Sequence, residues 1–373
     1  MKLVPQSAPY IRKNVSVSRM MLDVIIALMP ISLFAMIYYG WDSIYVFIIS
    51  IATMLFSELL INMFIKWPKG MKFKEFFSKE GFGKVKATYT INNFLAPLIS
   101  ALIFALIMPA GVRPYVVLVG ALFGMVVGKM VFGGLGSNIF NPAAVGRVFT
   151  MVCFGDAVGS ANNIDAAAGA TPLGFTSQAV DGVKSFGNIQ AYKLVDLFIG
   201  NDIGGTMGEG CKVLILVGAL YLFARRSADL RSTLSYLLSF ALVMFVACLS
   251  FKLTDAGEDS NLFKIWLYQI LAGGVIFAAV FMVTDPVTSP TSKFGRVLFG
   301  ATAGMITALI RVVGSYPEGA AFSILIVNML TPTIDYLMRG KPNKYTVKQC
   351  IFLACTTVLV CVIVSNQVMG GWF

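Results

Sequence analysis

The sequence contains no histidine. That absence removes imidazole acid–base catalysis, histidine ligation of haem and most zinc sites. Charge is scarce as well: only 13% of the 373 residues are Asp, Glu, Lys or Arg, about half the share of a soluble domain. Acids are scarcer than bases, 18 against 29. Six cysteines are present, but none forms a C-x-x-C. Cys350, Cys355 and Cys361 match no iron–sulfur spacing and read as small apolar helix filler. The glycines of Gly133 to Gly136 do not follow a strand in a βαβ unit, which excludes a dinucleotide-binding loop.

Apolar residues make up 57% of the chain, in runs of about 20, too long for barrel strands. This is the composition of an all-α, polytopic membrane protein. The net charge of +11 sits in short loops between the apolar runs. That is the positive-inside pattern, not a footprint for nucleic acid, so the bilayer is the expected partner and nucleic acid is not. Met1 to Arg19 is polar and basic, and the first apolar run exceeds a signal-peptide core. An uncut first span in the cell membrane, with a cytoplasmic N-terminus, follows.

Spans are predicted at Met21–Tyr39, Ser43–Ile65, Phe94–Pro109, Tyr115–Phe132 and Pro142–Phe154. The fifth is short, with Asn141 as N-cap and Pro142 at the first helical position. A net acidic outer segment follows, with a short interfacial helix over Tyr192–Ile199. Further spans are predicted at Cys211–Ala224, Leu234–Phe251, Ile265–Val283, Val297–Val313, Ala320–Leu337 and Val347–Val368. One topology satisfies the charge of every loop. Residues 1–155 form one five-helix half and 210–338 another. Residues 156–209 form the extracytoplasmic loop between them, and 339–373 add a C-terminal helix. An odd number of spans per half gives two halves of opposite orientation, as in many transporters. The echo between G-R-V-F at Gly146 and G-R-V-L-F at Gly295 runs one way across the membrane and supports no inverted repeat.

Asp23, Glu58, Lys129, Arg147, Arg311 and Asp335 fall inside or at the ends of spans. An intramembrane charge is costly and is a functional hypothesis by default. Most of these lie near helix ends, where snorkelling lowers the cost; Asp23 and Arg147 read as interfacial. Glu58 has two readings, a cation path or a satisfied polar contact.

The remaining feature is I-D-A-A-A-G-A-T-P-L-G-F, Ile164 to Phe175, in the longest polar interval. Small residues lead to one hydroxyl, Thr171, and Pro172 stops a helix from passing through. The segment reads either as a loop shaped to enter another protein's active site and be modified, or as an ordinary loop of small residues.

Five stretches then carry a resemblance: S-A-P-Y-I-R, S-R-M-M-L-D-V-I-I-A-L-M-P, G-G-L-G-S-N-I-F-N-P-A, G-A-T-P-L and T-D-P-V-T-S-P. In this order, over Ser7 to Arg339, the chain resembles the D subunits of the Rnf electron-transport complex. It resembles more distantly the B subunits of the sodium-pumping NADH:quinone reductase. The short N-terminus and Pro172 favour the former. The resemblance implies a subunit, inactive alone, of an ion-translocating oxidoreductase. Such a complex moves electrons from reduced ferredoxin to NAD⁺ and couples this to Na⁺ or H⁺ transport. It implies FMN joined by a phosphoester to Thr171, placed there by a flavin transferase on the outer side; a second, non-covalent flavin such as riboflavin is left open. Asp165, Gly169 and Ala170 match the transferase's pattern around the threonine. The sequence departs from it at Ala166, where Gly is common, and at Ala168, where Ser or Thr is common. The partners implied are the other membrane subunits of the complex. A reading from another class is a cofactor-free channel or transporter.

Overall fold

The structure, a computed structural model, describes residues 16–65, 90–159, 179–180, 183–184, 193–200, 205–254, 261–314, 319–338 and 347–369. The first half contains α1 (Val17–Tyr39), α2 (Trp41–Ile65), α3 (Ile91–Ile107), α4 (Pro114–Gly128) and α5 (Pro142–Cys153). A two-stranded hairpin, β1 (Ala179–Val180) with β2 (Val183–Lys184), and the short α6 (Leu194–Ile199) lie in the connecting segment. The second half contains α7 (Lys212–Arg225), α8 (Leu230–Lys252), α9 (Leu262–Leu271), α10 (Val275–Met282), α11 (Lys293–Val313) and α12 (Ala320–Leu337). The last helix is α13 (Val347–Val368). Among the described residues, seven helices are long and apolar enough to cross a membrane, or eight if the bent pair α9–α10 is one span. Helices α3, α5 and α7 have 17, 12 and 14 residues.

Local chemistry explains six of the helix starts. The side chains of Ser16, Asn141, Asp229, Asn261 and Ser292 each accept from a backbone N–H in the first turn of the helix that follows. Pro114 and Pro142 occupy first helical positions, where no N–H is required.

The eighth predicted span needs correction. It is not one helix. Gly273 adopts φ +78°, and α9 and α10 bend by 56° across the break. A left-handed residue without a Cβ is cheap, and it ends α9; the Gly273–Gly274 pair inside the apolar run is the local sign of this break. The last five residues of α10 are a π-helix, Ala278–Met282.

Two backbone-close helix pairs organise the bundle. On α4, Gly120, Gly124 and Gly128 lie against α5; a Cβ on Gly124 would overlap Pro142 O and crowd the Gly146 Cα. On α11, Gly300 and Gly304 lie against the Ser232 and Tyr236 carbonyls of α8. Small residues four apart let backbones approach where lipid supplies no hydrophobic drive. The halves pack on each other through α1 with α7 and through α5 with α12. Helix α13 rests on α8 and α11, with Val364 and Val368 buried and Ser250 Oγ donating to Ser365 Oγ at 2.8 Å.

Candidate functional site

A cavity of about 490 Å³ lies at the end of the bundle where α1 begins. Met20 and Val24 of α1, Ile99 and Ile103 of α3 and Phe281 of α10 supply apolar wall. Asn92, Lys129, Asn138, Asn141 and Asp285 supply polar groups. The loop ahead of α5 is turned into place by Gly133, Gly134 and Gly136, all at positive φ. It is pinned by Asn141 Oδ1, which accepts from Ala143 N at 3.0 Å, and by Asn138 Nδ2, which donates to Phe140 O at 3.1 Å.

The opposite wall is the segment after α10. Asp285 Oδ1 accepts from Val287 N at 3.1 Å and Oδ2 from Thr288 Oγ1 at 3.3 Å. Burial pushes the Asp285 carboxyl above the ordinary carboxylate range, while these bonds and the Lys129 charge pull the other way. Three further ties make the segment rigid. Thr291 donates to Asp335, Thr331 donates to Thr288 O, and Arg296 bridges Pro290 O and Asp229. A wall held from several helices is preorganised for a ligand.

Beside the cavity, Lys129 Nζ meets Glu58 Oε2 at 2.5 Å, and Asn62 Nδ2 donates to Glu58 Oε1 at 3.4 Å. Glu58 is 0% exposed and Lys129 2%. Glu58 is therefore held in a satisfied ion pair, the second of its two readings. The expectation that most intramembrane charges snorkel is corrected. Lys129, Arg147 and Arg311 are buried, and so is Asp23, which Arg225, Tyr221 and Ser227 surround. Partners arriving from other helices remove the need to reach water.

A second polar cluster lies where the connecting segment re-enters the bundle. A pocket of about 30 Å³ is lined by Arg147, Thr206, Glu209, Gly274 and Arg311 among others, room for about one water. Arg311 Nη1 donates to Gln269 O at 2.6 Å and Nη2 to Ala272 O at 3.4 Å. These are carbonyls at the C-terminal end of α9. The guanidinium also sits 4.9 Å from the Phe240 ring centroid. Glu209, counted from sequence among the outer-loop acids, is instead buried, with Thr206 Oγ1 donating to its Oε1 at 2.5 Å. Met207 N donates to Met108 O at 3.1 Å and draws this stretch inward.

Asp165, Gly169, Ala170 and Thr171 lie outside the described residues. The segment that holds them leaves from the C-terminal side of α5. Twelve helical residues, about 18 Å, separate that end from the cavity rim at Pro142. The Glu58–Lys129 pairing and the Arg311 cap were not foreseen. Each residue was visible as an intramembrane charge, but partners 71 and 42 positions away in sequence are not.

The profile of the NQR2, RnfD, RnfE family matches residues 4–344, all but the last helix. The D subunit of the proton-translocating ferredoxin:NAD(+) oxidoreductase complex of Clostridium ljungdahlii is 31% identical over 340 residues, covering 88% of this chain and 92% of that protein. The D subunit of the Na(+)-translocating ferredoxin:NAD(+) oxidoreductase complex of Acetobacterium woodii is 28% identical over 339 residues, 90% and 93% of the two chains. The B subunit of the Na(+)-translocating NADH-quinone reductase of Chromohalobacter salexigens is 37% identical over 260 residues, but the match spans 68% of this chain and 60% of that protein. With its profile matched across both helical halves, the chain belongs to the NQR2, RnfD, RnfE family.

Proposed function

We propose that this chain is the D-type membrane subunit of an ion-translocating ferredoxin:NAD⁺ oxidoreductase, and that it relays electrons through FMN bound covalently to Thr171. The observation that carries the reading is the match over nearly the full length of two such subunits. Bound flavin supplies the redox chemistry; the chain's own residues position it and exclude water. Thr171 offers a hydroxyl nucleophile among small residues, and Pro172 keeps it from folding into helix. Attachment follows from action of a flavin transferase, with Asp165, Gly169 and Ala170 as its recognition residues.

The 490 Å³ cavity fits a second, non-covalent flavin such as riboflavin. Pockets of about 300–1,000 Å³ with apolar walls and a few fixed polar groups hold ligands of this size. Its amides, Asn92, Asn138 and Asn141, suit the polar edge of an isoalloxazine, and Met20, Val24 and Phe281 suit its faces. Arg225, Arg226 and Arg231 lie at the α7–α8 turn, at the cavity end of the bundle. By the positive-inside rule that end faces the cytoplasm and the Thr171 segment the exterior. The other Rnf subunits are the partners. The coupling ion is Na⁺ or H⁺, and the two D-type relatives differ in the ion they are named for.

A B-type subunit of the NADH:quinone reductase is the second reading, favoured by the higher identity over a shorter stretch. Thr171→Ala tests the covalent site in both. The variant should lose all in-gel flavin fluorescence of this chain while still inserting, and the wild-type mass should exceed the apoprotein by FMN less one water. Fluorescence retained in Thr171→Ala would place the flavin elsewhere. An unmodified wild-type mass would favour a cofactor-free channel or transporter.

A further inference from the structure

The buried ion pair is asymmetric with respect to the cavity. Lys129 lines it and Glu58 does not. Among the described lining residues Lys129 is the one cation and Asp285 the one carboxylate. Asp285 is committed to Val287 and Thr288 of its own segment. Lys129 stands at the end of α4, followed by a three-residue 3₁₀ turn, Met130–Phe132, and its ammonium ends a flexible four-carbon stem. Glu58 comes from α2 and is held by Asn62 one turn on. A lysine this deeply buried would be expected to lose its charge without a partner. Glu58 keeps it charged at the cavity wall.

We propose that Lys129 sets the reduction potential of a flavin held in the cavity, and that Glu58 is the positioning residue that keeps its ammonium charged and in place. The proposal rests on the cavity reading given above. An electron entering a water-poor cavity brings negative charge. A cation in the wall favours that charge, and favours it more strongly than in bulk water because screening is weak. Glu58 does not line the cavity; its charge offsets part of this effect but preserves the cation that produces it. Loss of either partner therefore removes the cation from the cavity wall.

The test uses the full chain in the Thr171→Ala background, so that no covalent flavin contributes to the signal. Riboflavin is the probe, added to the purified protein and followed by fluorescence quenching, then by spectroelectrochemical titration of the bound fraction. Lys129→Gln should lower the midpoint potential, and Glu58→Gln, which takes from Lys129 the partner that keeps it charged, should lower it as well. Each shift should correspond to at least a tenfold change in the equilibrium constant, 59 mV for one electron. The double variant Glu58→Gln/Lys129→Gln removes both charges together and guards against misfolding from an unpaired buried ion; it should also titrate below the parent. Lys129→Arg should keep the parent potential within that margin. If riboflavin binds and its potential is the same in all variants, or rises in Lys129→Gln or in Glu58→Gln, the role of Lys129 is wrong and the cavity reading stands. If riboflavin does not bind to the parent protein, the cavity reading fails and this proposal with it.

Discussion

A buried charge in this chain is informative only through its partner. Arg311 shows this most clearly. In sequence it is one basic residue near a span end. In the structure its guanidinium takes the place of the N–H donors that a continuous helix would have supplied to the end of α9. Hydrogen bonds from charged groups are worth about 1.5–3 kcal/mol each. Arg311→Gln keeps a donor but loses the charge and the fork geometry. It should lower the thermal midpoint of the detergent-solubilised protein by several degrees, whereas Arg226→Gln, at an exposed turn, should leave it unchanged. Equal midpoints for the two variants would show that the α9–α10 break is held by other contacts.

At the scale of elements, the glycine seams set how closely the helices pack. Helix α11 presents Gly300 and Gly304 to α8 so closely that a Cβ on either would overlap a backbone carbonyl. Thr307, one turn beyond Gly304, accepts or donates a 3.0 Å bond with Tyr236 and a 2.7 Å bond with Ser323 of α12. The seam thus sets the distance at which this buried polar chain can close. Gly304→Leu should cost at least the 1–3 kcal/mol typical of overpacking and open the Tyr236–Thr307 contact. Proteolysis between α8 and α11 in detergent should then quicken. Ser365→Ala, which removes one peripheral hydrogen bond, should change the rate little. Unchanged proteolysis of Gly304→Leu would mean that the pair can separate without loss of the fold.

For the whole molecule, the directions of the helices matter most. Contacts tie the start of α8 to the start of α11, through Asp229 and Arg296, and the end of α8 to the end of α13, through Ser250 and Ser365. Helices α8, α11 and α13 therefore run the same way, as the loop charges required. A single cysteine at Asn188, in a version lacking native cysteines, should react with an impermeant thiol reagent on intact cells. Labelling only after lysis would invert the topology. Helix α13 lies beyond the family profile and packs on α8 and α11 from one side. Deleting residues 339–373 should leave a chain that inserts and binds riboflavin as the full chain does. Loss of insertion would make α13 part of the core rather than an addition to it.

The sequence by itself determined the membrane class, the order of the helices and many of their ends, because apolar run length and loop charge are local properties; α1, α8 and α11 start four residues earlier than read, at the caps Ser16, Asp229 and Ser292. Pro142 after Asn141 marked the start of α5, and Val347–Val368 was legible as an added helix. The family was legible too, from short ordered motifs. Only the tertiary structure decided which charges are paired, where a cavity opens and what satisfies the break in a span. Glu58 and Lys129 lie on separate helices, and no periodicity links them. The α9–α10 break has the Gly273–Gly274 pair as its local sign, but the group that satisfies its carbonyls, Arg311, lies 39 residues from Ala272. Glu209 looked like a loop acid because its burial depends on Met108 and Thr206 gathering the chain inward. Local patterns fix what a segment is. In a bilayer, where an unpaired charge or carbonyl is costly, the packing of distant helices fixes which of those groups can stay inside.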